Sequence, residues 1–422
     1  MRISIRHLST CSRLRSPRSA VPIRLRYTHQ IAKPLLVLGI ESSADDSSAS
    51  IVSSSRENLS LVTISQHSEN SAYGGIHPLV AQSSHNKNVP LAIQRCIRQA
   101  GVTIDDIDAI AYTRGPGMRG CLMVGEMAAK GLAAGSGKRL IGVHHMQAHA
   151  LTPLLTERDP PKFPFLILLV SGGHTQLVLA KSQDQFEILL DTLDSKIGDV
   201  FEKAARALNL PHSATKSPGA ILEEYATQPP LPPYDTTPLP ALPIPLSVGE
   251  AVHKRAFSFA GILSSLQRRI SQLPTRGTET DVGLTEGDQR DFSRILQQAV
   301  VGHLVFKLRQ TIEFILNKDL ETPGKEKLGG LVVSGGVASN LHLRTQLENM
   351  LQEVSGGSGR PRGEGEGGIR LFYPPISLCT DNAAMIAWTA ILRLQADSLL
   401  NDPYDLPVRP KWSLEDLYDD VQ

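Results

Sequence analysis

Three apolar strands, each running into a short polar or glycine turn, constrain this 422-residue chain more than any other feature. The first is Leu35-Leu36-Val37-Leu38-Gly39-Ile40, which ends on Glu41-Ser42-Ser43-Ala44-Asp45-Asp46 and is followed at hairpin distance by an apolar segment, 49–52. The second, 165–170, enters Ser171-Gly172-Gly173-His174-Thr175-Gln176 and continues as Leu177-Val178-Leu179-Ala180. The third, Leu331-Val332-Val333, leads into Ser334-Gly335-Gly336-Val337-Ala338-Ser339-Asn340 and then a helical pattern. Such runs, bounded by small polar residues, read as buried strands. Glycines behind a buried strand let the backbone approach a ligand and leave N–H groups for anionic oxygens. Together the three turns are expected to floor one nucleotide cleft between duplicated lobes. A further strand, 107–112, leads into Thr113-Arg114-Gly115-Pro116-Gly117, and 123–134 has helical composition ending at Gly135.

No crossover helix separates the first strand from the second, so the opening unit resembles the phosphate loop of actin-like ATPases more than a Rossmann unit. The second chemical signal is His145-Met146-Gln147-Ala148-His149. Imidazoles four apart lie on one helix face and can share one metal ion. The spacing copies the zincin pattern, but Met146 cannot be the carboxylate base of a metalloprotease. The pair therefore reads either as a metal site without protease chemistry or as two hydrogen-bonded or solvated histidines.

Between Met1 and Ile40 there are eight basic residues and no acid, the first being Glu41. An Arg-rich, Ser-containing, acid-free start without an apolar centre reads as a mitochondrial transit peptide, 1–33, rather than a secretory signal; the alternative is a basic arm for nucleic acid. Of the chain's 43 basic residues these eight would be removed, leaving 35 against 42 acids, a net charge of −7 that offers no general polyanion surface. The apolar run 163–170 is too short to span a bilayer, so no membrane is expected. Cys96, Cys121 and Cys379 have no metal-like or redox spacing and read as buried thiols. The remaining length suits an N-terminal lobe at 34–155, a C-terminal lobe at 156–395 and a tail at 396–422. Insertions without core are expected near 228–248, 275–289 and 355–368; residues 228–245 alone hold eight prolines.

In this order the motifs resemble those of the universal family that makes N6-threonylcarbamoyladenosine in tRNA, specifically its mitochondrial branch. The resemblance rests on 39–46, Tyr73-Gly74-Gly75, Gly115-Pro116-Gly117, 144–149, 169–176, 335–340, Cys379-Thr380-Asp381-Asn382 and Val408-Arg409-Pro410-Lys411-Trp412. It implies an α/β, actin-like and Hsp70-like (ASKHA) two-lobe fold. It implies one divalent metal per subunit, zinc or iron, on His145, His149 and Asp381. It implies a donor, threonylcarbamoyl-AMP from a separate adenylate-making enzyme, held by Leu169, Val170, Ser171, Gly172, Gly173, Glu202, Gly219 and Asn340. It implies as acceptor the adenosine 3′ to the anticodon in mitochondrial tRNAs reading ANN codons, and as assembly a homodimer in the mitochondrial matrix. Asp45 and Asp46 are candidates for the base that takes the amine proton, or for ordinary turn caps.

The chain departs from the family pattern at Ala44, Leu79, Ser83, Glu202, Ala220 and Leu263, which bears on partner and tRNA contacts and spares the metal set. Basic candidates for tRNA are Lys254-Arg255, Arg268-Arg269, Arg114 with Arg119, and Arg409 with Lys411, each equally readable as a solvated face. An actin-fold kinase or ATPase would leave the histidine pair unexplained. A metal-dependent peptidase lacks its base, and an inactive partner subunit would not need the complete ligand set.

Overall fold

The computed structural model describes residues 33–420 apart from 67–68, 70–75, 212, 214–215, 230–238, 274–283, 321–326 and 357–367. The expected leader, Tyr73-Gly74-Gly75 and most of the three expected insertions lie outside the described residues.

The described chain is built on two mixed sheets of the same plan. In the first, β1 (Leu36–Glu41), β2 (Asp46–Ser53) and β3 (Asn58–Ser65) form an antiparallel meander, and β4 (Ala109–Gly115) and β5 (Arg139–His144) add in parallel on the free side of β1. Its order is β3-β2-β1-β4-β5. In the second, β6 (Phe165–Val170), β7 (Thr175–Ala180) and β8 (Phe186–Thr192) repeat the meander, and β10 (Leu331–Ser334) and β11 (Leu371–Phe372) repeat the parallel pair. The short β9 (Ala256–Phe257) adds beside β8. This duplication is the actin-like two-lobe architecture, and it places the first two polar turns at equivalent ends of equivalent strands.

Ten helices connect and cover the described strands: α1 (Pro78–Ala100), α2 (Arg119–Ser136), α3 (His145–Thr156), α4 (Ile197–Ala207), α5 (Pro218–Thr227), α6 (Ala260–Ser271), α7 (Glu286–Leu320), α8 (Leu341–Gly356), α9 (Ile376–Cys379) and α10 (Ala383–Ala396). Alternation along β1 explains the layering. Leu36, Leu38 and Ile40 join one core with Val89 and Ala92 of α1, while Val37 joins another with Ala384 and Ala387 of α10. Gly39 is the contact point, because a Cβ there would lie 2.3 Å from the Ala383 carbonyl oxygen. The last helix thus returns to the first sheet.

Helix α3 is buried on all sides. Ala148 and Leu155 pack into the first-sheet core with α10, and Met146, Ala150 and Leu151 pack against Phe165, Ile167 and Leu169 of β6. A helix buried around most of its circumference belongs between layers, and this one carries the paired histidines.

Two expectations about insertions need correction. Within 228–248, Leu242 is buried in the large core, and Arg269 donates to the carbonyls of Pro240 and Ala241, so this part of the segment is packed against the fold. The segment 275–289 ends earlier than expected, because Thr285 and Asp288 form a reciprocal cap (Asp288 N to Thr285 Oγ1 3.1 Å, Thr285 N to Asp288 Oδ2 2.9 Å) and α7 starts at Glu286. No helix among the described residues is long and apolar enough to cross a membrane.

Candidate metal and catalytic site

The site is assembled from two helix starts. At α3 the cap is His144, whose Nδ1 accepts from the backbone N–H of Met146 (3.1 Å) and Gln147 (3.2 Å) while Nε2 donates to the Trp412 carbonyl at 3.2 Å. Burial pushes this imidazole down to about 3, so it stays neutral and fit for both roles. His145 and His149 follow on one face, ring centroids 4.7 Å apart. At α10 the cap is Asn382, whose Oδ1 accepts from Met385 N at 3.1 Å and whose Nδ2 donates to the Thr380 carbonyl at 2.8 Å. Asp381 is thereby fixed beside α3, with Oδ1 3.1 Å from His149 Nε2 and 3.4 Å from His145 Nε2. The three donor atoms lie within 4.8 Å of one another. The histidines are buried, whereas the Asp381 side chain is 28 % exposed and opens the cluster to solvent.

Behind this cluster stands Glu41, which has no role that the sequence alone indicates. Its Oε2 lies 3.0 Å from His145 Nδ1 and accepts from the Thr113 hydroxyl at 2.5 Å, and its Oε1 accepts from the Ser43 N–H at 2.5 Å. Nothing in the spacing marks it, since 104 residues separate it from His145. A carboxylate on the far nitrogen of a metal-binding histidine fixes the ring and raises its basicity. Two convergent Nε2 atoms, one carboxylate oxygen and this support form a donor set that fits zinc or iron.

Electrostatics agree with that fit. Burial would raise Glu41 and Asp381, but the neighbouring His145 outweighs it and holds both below the usual carboxylate range, Asp381 well below. Burial would lower His145, but Asp381 and Glu41 raise it to about 10. In the metal-free protein one proton therefore sits on His145 between two carboxylates. That proton stabilises the fold fully below pH 6.5, and its contribution is lost as pH rises through about 10. A metal needs the unprotonated nitrogen. Titrating Zn(II) into metal-free protein at pH 7 should therefore release close to one proton. Calorimetry in two buffers of different ionisation enthalpy checks this, and identical apparent enthalpies would contradict it.

Asp45 and Asp46 close the β1–β2 turn. Burial, then the charge of Asp45, raises Asp46 to about 7, with smaller contributions from Asp381 and Glu41 against a lowering hydrogen bond from Ser65. Its Oδ1 is buried without a hydrogen-bond partner. The turn is braced by His85, whose Nδ1 meets the Ser47 hydroxyl at 2.7 Å and whose Nε2 meets the Ala44 carbonyl at 3.0 Å. Of the two aspartates, Asp46 has the environment of a proton acceptor.

The glycine turns meet at the second sheet. Leu169 and Val170 are core residues of β6 and offer only backbone. Ser171 Oγ accepts from the N–H of Gly173 (3.2 Å) and His174 (3.0 Å), and Gly172 and Gly173 face open space. A Cβ on Gly198, in the first turn of α4, would lie 2.6 Å from Gly172 N. One on Gly335, whose φ is +103°, would lie 2.4 Å from the Val170 carbonyl oxygen. These close approaches require glycine, and Gly198 had no signal in the sequence beyond being a glycine near a helix start. His174 on this turn is within electrostatic reach of the candidate metal ligands: burial and the charges of His145 and His149 push it down to about 4.

The other expected donor contacts are less convergent. Gly219 lies in the first turn of α5, with α4 beside it through Phe201. Glu202 on α4 pairs with Arg206 at 3.0 Å across an exposed surface. Asn340 uses its side chain structurally, donating to Gln297 at 3.0 Å and capping α8 by accepting from Leu343 N at 2.8 Å.

Among the basic candidates, Arg114 is corrected: it is buried and forms a double hydrogen bond to Asp420 (3.0 and 2.5 Å), because the β4 side chain points at the C-terminal segment. Arg409 is paired with Asp419. Lys254 and Arg255 are exposed. Met146 is buried in the core, so the protease position offers no base. Cys96, Cys121 and Cys379 are buried free thiols.

The family described as tRNA N6-adenosine threonylcarbamoyltransferase matches residues 57–388. A protein of that name from Ruegeria pomeroyi is 37% identical over 389 residues, 91% of this chain and 96% of its own length. Another, from Ralstonia pickettii, is 35% identical over 386 residues, 91% of this chain and 99% of its own length. Among solved structures, HypF of T. kodakarensis aligns with 86% of this chain and 49% of its own at 12% identity and a TM-score of 0.48. Component A of the (R)-2-hydroxyglutaryl-CoA dehydratase of Acidaminococcus fermentans aligns with 86% of this chain and 99% of its own at 13% identity and a TM-score of 0.45.

Proposed function

This chain belongs to the tRNA N6-adenosine threonylcarbamoyltransferase family, and from that premise we propose the particular reaction, site and setting that follow. The donor is threonylcarbamoyl-AMP. The acceptor is N6 of the adenosine 3′ to the anticodon, position 37, in mitochondrial tRNAs reading ANN codons, and AMP is released. One observation carries this reading: His174 of the open turn 171–174 and the Asp46 carboxyl, one of whose oxygens is buried without a partner, both lie within electrostatic reach of the His145, His149 and Asp381 cluster.

The amine nitrogen attacks the carbamoyl carbon, forming a C–N bond as the anhydride C–O bond breaks, and AMP leaves with the electron pair. Asp46 takes the amine proton; a carboxyl near 7 is divided between its two forms at neutral pH, which suits an acid–base group. The N–H of Gly172 suits the AMP phosphate, while the Ser171 hydroxyl, accepting from the N–H groups of Gly173 and His174, holds the turn in shape. Glu41 keeps the His145 ring oriented. A divalent zinc or iron ion on His145, His149 and Asp381 would supply Lewis acidity toward a substrate oxygen.

We place the protein in the mitochondrial matrix, acting as a homodimer with only a separate adenylate-making enzyme. The acid-free N-terminal forty residues and the family resemblance support that placement. The test incubates purified metal-replete protein with that enzyme, threonine, bicarbonate, ATP and an ANN-decoding tRNA, then analyses the digested nucleosides. Modified adenosine is expected, and none with guanosine at position 37. Product only after further subunits are added would refute the stand-alone part; no product under either condition would refute the transfer. Protein isolated from its source should begin between Arg24 and Lys33, and an intact Met1 would remove the import reading.

A further inference from the structure

A cavity of about 260 Å³ opens at the far edge of the second sheet, apart from the catalytic cluster. Val252, Lys254, Arg255, Lys307, Thr311 and Phe314 are among its lining residues, and no carboxylate is, among the described residues. Lys307 is buried at its base and donates to the carbonyls of Val252 (2.8 Å) and Lys254 (3.0 Å), which ties the cationic segment to α7. The Arg255 guanidinium lies 4.0 Å above the Phe314 ring, and Phe314 is 47 % exposed. Clustered cations beside an exposed aromatic ring suit a phosphate and an unstacked base.

The sheet register locates this cavity relative to the chemistry. Leu169 pairs with Gln176, Gln176 with Asp191 and Asp191 with Ala256, one row running straight across four strands. Three strand spacings of about 4.8 Å put Ala256, next to Arg255, roughly 14 Å from the strand that carries the glycine turn. A loop of RNA whose adenosine enters the catalytic cluster can reach that far.

We propose that this cavity binds a flanking nucleotide of the tRNA substrate, its phosphate on Lys254 and Arg255 and its base on Phe314. The assignment rests on tRNA being the substrate, as the proposed function has it, and is tested by binding rather than turnover. Dissociation constants of wild type, Lys254→Ala/Arg255→Ala and Phe314→Ala for an unmodified ANN-decoding tRNA are measured across a salt series without adenylate. All three side chains are exposed, and melting temperatures confirm that each variant is folded.

The double variant should bind more weakly, with a salt slope shallower by about 0.7 for each single-stranded phosphate contact removed. Phe314→Ala should weaken binding roughly 5- to 100-fold with the slope unchanged, as loss of base stacking does. At saturating tRNA kcat should match wild type, with the effect confined to KM. Wild-type affinity and slope in both variants would overturn the proposal, including where the variants lose a protein partner instead. Wild type that forms product alongside such variants isolates the failure to this cavity. Wild type that binds tRNA through these residues and forms no product isolates the failure to the transfer reaction.

Discussion

Replacing Asp381 with Asn is expected to strip the bound metal and lower kcat/KM by about a thousandfold or more. Asn preserves the shape of the side chain and the α10 cap next to it, and removes only the charge to which both imidazoles point, at 3.1 and 3.4 Å. A Lewis acid is worth several kcal/mol of transition-state stabilisation, and each 1.36 kcal/mol is tenfold in rate. The charge also helps hold the proton on His145, so in the metal-free variant that imidazole should titrate below the value of about 10 it has here. Metal content and kinetics are read on the same preparation, with His149→Ala as a companion. Full metal occupancy together with wild-type turnover would remove Asp381 from the site.

Asp46→Asn should separate proton transfer from metal binding. Its metal content should match wild type while kcat falls by about 10²- to 10⁴-fold, the usual contribution of a positioned acid–base group. The pH profile supplies the sign. Asp46 is raised to about 7 and acts ionised, so wild-type kcat should climb with pH through a limb at or somewhat below 7 and flatten above it. A bound cation offsets the Asp381 charge that helps raise Asp46, which moves the limb downward, never upward. In Asp46→Asn this limb should vanish.

Stability distinguishes the catalytic role from a structural one. A carboxyl whose pKa is higher folded than unfolded binds protons better in the native state, so it costs stability as pH rises from about 3.8 to 7. The Asn variant should accordingly be no less stable than wild type at pH 8. Wild-type kcat, or a surviving limb in the variant, would exclude Asp46 as the base.

Local chemistry was legible from the residues; distant pairing was not. The strands before the polar turns, and the glycines that end them, depend on neighbours within a few residues, and they stand where their pattern puts them. The His145/His149 pair is likewise a local periodicity. Asp381, 232 residues beyond His149, entered only through family resemblance. Glu41 was visible as the first acid of the chain, yet its pairing with His145 depends on β1 and α3 meeting, which no spacing reports. Gly198 and Gly335 owe their necessity to backbones brought together across the sheet. Misreadings have the same source. Arg114 looked like a surface cation because its partner, Asp420, lies 306 residues away. The start of α7 hid in a polar stretch whose cap is local but whose apolar face begins later.

The most direct measurement is a single turnover with preformed threonylcarbamoyl-AMP, metal-replete protein and an ANN-decoding tRNA in the absence of ATP. The account predicts one threonylcarbamoyl group on N6 of adenosine 37 for each AMP released, and neither from Asp381→Asn. Release of AMP by wild type without nucleoside modification, or modification that proceeds unchanged in Asp381→Asn, would contradict it.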